Sequence, residues 1–111
     1  MDFALTPEQR QIRDLFARFV DAEVAPHAAA IDAAHAYPGE LMRKLAGLGF
    51  FAMRYPADVG GLSLDLATFC LALAEIARGS MSLAGCAAMQ ALMGTKFLHM
   101  LGGTGIIERL F

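Results

Sequence analysis

The sequence predicts an all-α domain, an orthogonal or up-down bundle of five to six helices with no sheet. Apolar residues recur at helical spacing in several windows. Capping signatures stand in front of those windows. No segment sustains the apolar/polar alternation of a half-buried strand.

Thr6-Pro7-Glu8-Gln9 opens the first helix, with Thr6 as N-cap, Pro7 in the first turn and Gln9 closing a capping box. Ile12, Leu15, Phe16, Phe19 and Val20 form its buried face; Arg10, Arg13, Asp14, Arg18 and Asp21 cover the other. Pro26 interrupts it near Ala25, and the Ala-rich stretch to about Ala34 continues as kinked helix. Tyr37-Pro38-Gly39 breaks the chain. Leu41, Met42, Leu45 and Leu48 then mark a short amphipathic helix that ends at Gly49 in a left-handed cap. Phe50–Tyr55 reads as extended, and Pro56–Gly61 as a loop.

Ser63 is expected to cap the next helix, with Asp65 in its first turn. From Leu64 to Ala77 apolar residues lie on every side, as in a buried central helix. Gly79 ends it. Ser80 or Ser82 caps a further helix reaching about Leu101, with a break expected at Gly94. Gly102-Gly103 ends that one, and Thr104 caps a last helix, GIIERLF, which reads as cut off mid-element at Phe111.

The 111 residues suffice for one domain. Counting Gly and leaving out Tyr, about 65% of them are apolar, against about 45–50% in ordinary globular domains. Small domains hide too little surface to absorb such an excess, so an apolar face should meet a partner, a membrane or the rest of a larger protein. Of the 20 charged side chains only six lie beyond residue 58 (Asp65, Glu75, Arg78, Lys96, Glu108 and Arg109). The net charge of −2 argues against a nucleic-acid face. The 17 uncharged residues 79–95 are too short and too polar for a membrane span. Cys70 and Cys86 make neither a disulfide framework nor a zinc motif, so a reducing, cytoplasmic setting is the simplest reading.

TPEQ (6–9), YPGELMRKLAGLGF (37–50), YPADVGG (55–61), ALAEIARGS (72–80) and GT (103–104) occur in this order. Together they resemble the N-terminal helical domain of the FAD-dependent acyl-CoA dehydrogenases, over residues 1–111. The resemblance implies a protein that also carries a middle β-domain and a C-terminal helical bundle, neither of which is in this sequence. It implies α,β-dehydrogenation of an acyl-CoA to an enoyl-CoA, FAD bound mainly by those other parts, and a catalytic glutamate in the C-terminal bundle. It further implies an electron-transfer flavoprotein as acceptor and a homo-oligomer at full length. This domain would supply one wall of the acyl pocket and be inactive alone. The alternative is a stand-alone helical interaction module that completes a partner subunit.

Met89, Met93 and Met100 share a helical stripe with Leu92 and Phe97, which fits core packing or, given the resemblance, a substrate pocket. The substrate-pocket candidates are Met89, Gln90, Met93, Gly94 and Thr95, with Gln90 and Thr95 as polar groups toward a thioester. No catalytic or metal-binding residue is assigned. Glu75 is expected to pair with Arg78, one turn on, rather than to act as a base. Gly60-Gly61 lacks the preceding strand and following lysine of a phosphate cradle and reads as a turn and hinge.

Overall fold

A computed structural model describes residues 3–101. All their regular structure is helical: α1 (Pro7–Phe19), α2 (Ala28–Ala34), α3 (Gly39–Gly47), α4 (Leu66–Gly79), α5 (Met81–Met89) and α6 (Thr95–Leu101). The last expected helix, from Thr104, lies outside the described residues.

Two pairs of helices are continuous. A π-helical segment (Val20–Val24) and a 3-10 turn (Ala25–His27) join α1 to α2, and a second π segment (Gln90–Gly94) joins α5 to α6. The helix interrupted at Pro26 runs on into α2 through the 3-10 turn, as the sequence suggested. Pro26 lies in the 3-10 turn, where its missing N–H costs least. The break expected at Gly94 is the end of a π segment, and the helix runs on to Leu101.

The local capping chemistry holds at several ends. Thr6 accepts from the Gln9 amide at 3.1 Å while the Gln9 side chain accepts from the Thr6 amide at 3.0 Å. Ser80 accepts from the Leu83 amide at 3.1 Å and starts α5 directly after α4. Gly49 follows α3 at φ 85.

Several expectations are corrected. Phe50–Ala52 is a 3-10 turn rather than extended chain, because curling there drops Phe50 into the core. Asp65, not Ser63, caps α4, accepting from the Thr68 amide at 2.9 Å. Ser63 sits in the left-handed region at φ 53, and its hydroxyl accepts instead from the Ala57 amide at 2.9 Å. Finally, α4 is not buried all round. Thr68, Phe69, Ala72 and Ile76 point inward, while Leu66, Cys70 and Ala74 are exposed. Its inner side is covered by α1 and α5, and no described element covers the other.

Phe50 is the centre of the core, fully buried, with ring centroids 5.9 Å from Phe16, 5.4 Å from Phe51 and 5.0 Å from Phe69. Val20, Val24, Leu45, Ile76 and Leu83 close around it. Leu15, expected on the buried face of α1, is 37% exposed. Gly79 permits a close helix approach: a Cβ there would lie 2.5 Å from Val20 Cγ1. Arg78 ties the same contact at the surface, pairing with Glu75 at 2.8 Å and with Asp21 at 3.0 Å. Glu75 is thus an ion-pair partner, as its spacing from Arg78 suggested.

The YPADVGG loop is a hydrogen-bonded turn. Its backbone bonds back on itself and on the preceding turn: Leu62 to Ala52, Ser63 to Tyr55 and Leu64 to Met53. The Gly60 and Gly61 amides donate to Ala57 and Pro56, so neither is offered to a phosphate. Gly60 has φ 89, which a side chain rarely adopts.

The Asp65 cap makes stability acid-sensitive. Hydrogen bonds from the Thr68 hydroxyl and amide hold its carboxyl below the ordinary range. A carboxylate whose folded pKa is lowered stabilises the fold above its unfolded pKa, and that contribution disappears as pH falls through the folded pKa. Asp65→Asn keeps a capping oxygen that does not titrate. Below about pH 4 its melting temperature should fall less steeply than the parent's. Parallel curves in a thermal melt series would remove Asp65 as a source of the acid dependence.

Candidate functional site

The apolar surplus surfaces on the long helix of α5 and α6. Leu83, Ala84, Ala87, Ala91 and Thr95 face inward. Along an α-helix a side chain every four residues drifts around the axis. The π segment, with its longer i→i−5 turn, offsets that drift and keeps Ala87, Ala91 and Thr95 on the inner side.

The opposite face is apolar and open to solvent. Met81 is 74% exposed, Met89 57%, Met93 48%, Phe97 59% and Met100 64%. These side chains are not core residues of this domain, so the core-packing alternative for the methionine stripe falls. Single exposed apolar residues are ordinary, but a continuous row is the mark of a binding surface.

The five candidate residues divide. Met89, Gln90, Met93 and Gly94 lie on the exposed side of the π segment. Thr95 is buried, at 2% exposure, and its hydroxyl is used within the helix. It donates to the Gln90 carbonyl at 2.9 Å and accepts from the Gln90 side-chain amide at 3.3 Å. Thr95 therefore secures the segment instead of facing outward with Gln90. The Gln90 amide lies over Gly94, where a Cβ would come within 3.7 Å of it.

The residue that sequence reasoning missed is Tyr55. Its hydroxyl donates to the Ala91 carbonyl, inside the π segment, at 2.7 Å in a buried position. Burial pushes the phenol pKa up, so it stays protonated and remains a donor. The Tyr55 ring also packs edge-on against His99, 5.4 Å between centroids. A buried tyrosine needs a partner for its hydroxyl, but sequence alone does not say that the partner lies 36 residues away.

A separate, more polar cleft of about 400 Å³ is lined in part by Glu23, His27, Ile31, Tyr37, Glu40 and Lys44. There Lys44 pairs with Glu23 at 2.7 Å, which lowers the Glu23 pKa through the hydrogen bond and the charge. Among the described residues no three His, Cys, Asp or Glu side chains form a metal-binding group, and no helix is long and apolar enough to cross a membrane.

Comparison with known proteins bears on this face. Residues 6–109 match the family described as acyl-CoA dehydrogenase, N-terminal domain. The benzylmalonyl-CoA dehydrogenase of Aromatoleum aromaticum is 66% identical over 111 residues, covering 100% of this chain and 29% of that protein. The 3-(aryl)acrylate reductase of Clostridium sporogenes is 33% identical over 95 residues, covering 84% of this chain and 25% of that protein. A solved structure of an electron transferring flavoprotein of Acidaminococcus fermentans, described in work on flavin-based electron bifurcation, superposes with a TM-score of 0.87 at 27% identity, covering 98% of this chain and 29% of that one. The chain thus spans under a third of the length of these relatives.

Proposed function

Since the chain belongs to the acyl-CoA dehydrogenase family through its N-terminal domain, we propose that residues 1–111 are that one domain of a flavin-dependent acyl-CoA dehydrogenase. The substrate class we assign is an aryl-substituted acyl-CoA such as benzylmalonyl-CoA. The observation that carries this reading is the 66% identity across the chain to a benzylmalonyl-CoA dehydrogenase. The exposed row of Met89, Met93 and Phe97 supports it.

In this reading the row forms a wall of the acyl pocket, and the neighbouring apolar surface packs on the rest of the polypeptide. Methionine suits an aryl group, because its polarisable sulfur contacts ring edges favourably and its unbranched chain adapts to shape. A dry wall also strengthens every charge interaction in the pocket it closes. Gln90 is the polar group on that wall; one N–H of its amide is bonded to Thr95, which leaves the other for an acyl oxygen.

FAD would supply the hydride acceptor. The described residues do not make a dinucleotide cradle. Gln90 and Lys96 are exposed polar residues of the long helix, and the Gln90 amide is bonded to Thr95. The N-terminus of that helix is closed by Ser80, and Ser82 is bonded to Asp32. Flavin binding is assigned to the other parts of the polypeptide, as is the catalytic base, and an electron-transfer flavoprotein is the proposed acceptor. The free Cys70 and Cys86 fit a reducing cytoplasm.

The test is anaerobic mixing of the flavin-loaded polypeptide that carries this domain with benzylmalonyl-CoA and, separately, with a straight short-chain acyl-CoA. The oxidised flavin band should bleach with the aryl substrate and respond weakly to the other. Bleaching by the straight chain alone would overturn the substrate class, and no bleaching by either would overturn the enzyme reading.

A further inference from the structure

The π segment is held from three directions. Thr95 donates to the Gln90 carbonyl at 2.9 Å, the Gln90 side chain donates to Thr95 at 3.3 Å, and Tyr55 donates to the Ala91 carbonyl at 2.7 Å. The first two contacts are local to the helix. The third comes from the turn before the YPADVGG loop, and that turn is itself fixed by the Ser63 amide donating to the Tyr55 carbonyl at 2.9 Å.

When a helix returns from i→i−5 to i→i−4 pairing, one carbonyl is left out of the ladder. A buried carbonyl without a donor is costly, so the π form persists only where another group serves it. Were the segment to relax to α pitch, everything beyond it would turn by roughly a quarter of a turn. Phe97 and Met100 would leave the row made with Met89 and Met93, and Thr95 would leave its buried site.

We propose that Tyr55 is a positioning residue for the substrate-facing row: by serving the Ala91 carbonyl it holds the π segment that aligns Met89 and Met93 with Phe97. This rests on the reading of that face as a wall of the acyl pocket. Tyr55 touches no substrate. It acts through the helix, and the cost of losing it falls on how well a bulky acyl group fits.

The experiment uses Tyr55→Phe and Thr95→Val in the whole flavoprotein. Steady-state kinetics with benzylmalonyl-CoA and with a straight short-chain acyl-CoA are measured beside hydrogen–deuterium exchange of amides 92–96. Tyr55→Phe should raise KM for the aryl substrate by about tenfold, the scale of one lost hydrogen bond to a buried group. Its kcat should stay within about twofold, the straight chain should be affected less, and exchange at 92–96 should speed up. Thr95→Val should do the same in smaller measure, and it carries the test if Tyr55→Phe does not fold. Faster exchange with unchanged KM makes the tyrosine merely structural and overturns the proposal. A raised KM with unchanged exchange overturns it too, because the effect then bypasses the π segment. A parent protein that turns over no acyl-CoA instead fails the functional reading, and exchange alone then decides whether Tyr55 holds the segment: unchanged exchange overturns that hold.

Discussion

Phe50→Ala should lower the unfolding free energy by about 3–5 kcal/mol, the range for emptying a buried aromatic site. Three other phenylalanine rings surround Phe50 within 5.9 Å, and its own side chain is fully buried. The surrounding rings come from α1, from the turn that carries Phe50 and from α4. They cannot all collapse into the space together, so the cavity term adds to the lost transfer energy. A domain of this size has roughly 5–15 kcal/mol in total, so the change removes a large share of it. Urea unfolding should show the midpoint falling at unchanged slope. Phe50→Leu, which keeps most of the volume, should cost less than half as much. A Phe50→Ala loss under about 1 kcal/mol would mean the core is not organised around this ring.

Gly61→Ala should cost about 3 kcal/mol, at the upper end of overpacking penalties, although it adds one methyl group. The reason is backbone contact. A Cβ on Gly61 would lie 2.1 Å from the Tyr55 carbonyl oxygen and 2.4 Å from its carbon. A flexible side chain could swing away from such a clash, but this carbonyl is fixed by the Ser63 amide. Relief requires the loop to open, which also disturbs Tyr55 and its bond to Ala91. Gly47→Ala is the matched comparison: a Cβ there has nothing within 4 Å, and alanine suits a helix better than glycine. It should be neutral or mildly stabilising. The two glycine variants should therefore move the melting temperature in opposite directions or leave Gly47→Ala unchanged. Equal effects would show that the glycine-to-alanine change, not the Tyr55 contact, dominates.

The parts of the fold that were legible in the sequence are those decided within one or two turns. Thr6 with Gln9, Ser80 with Leu83, and Glu75 with Arg78 are three residues apart and need only helical geometry to meet. Gly49 had its left-handed role for the same reason. Asp65 displaced Ser63 as the cap because residues 62–64 bond back to 52–55, which holds Ser63 at positive φ and leaves Asp65 as the residue facing the first free amides. The 3-10 turn at Phe50 was hidden too, because the pull that curls it comes from Phe16 and Phe69.

The site was half legible. Spacing put Met89, Met93, Met100 and Phe97 on one stripe but left open whether that stripe was core or surface. Composition said only that some apolar surface was in excess. The π segment left one clue, the glycine at 94; its cause, the Tyr55 bond, is a contact between distant parts of the chain.

By itself, then, the sequence determined the helical class, most of the helix starts and the family, because caps, periodicity and ordered short motifs are local and survive without knowledge of packing. Only the tertiary structure decided which face of the long helix is bare, where its ladder changes pitch and why Gly61 admits no side chain. Each depends on groups far apart in sequence meeting within a few ångströms, and local propensity carries no information about which groups those are.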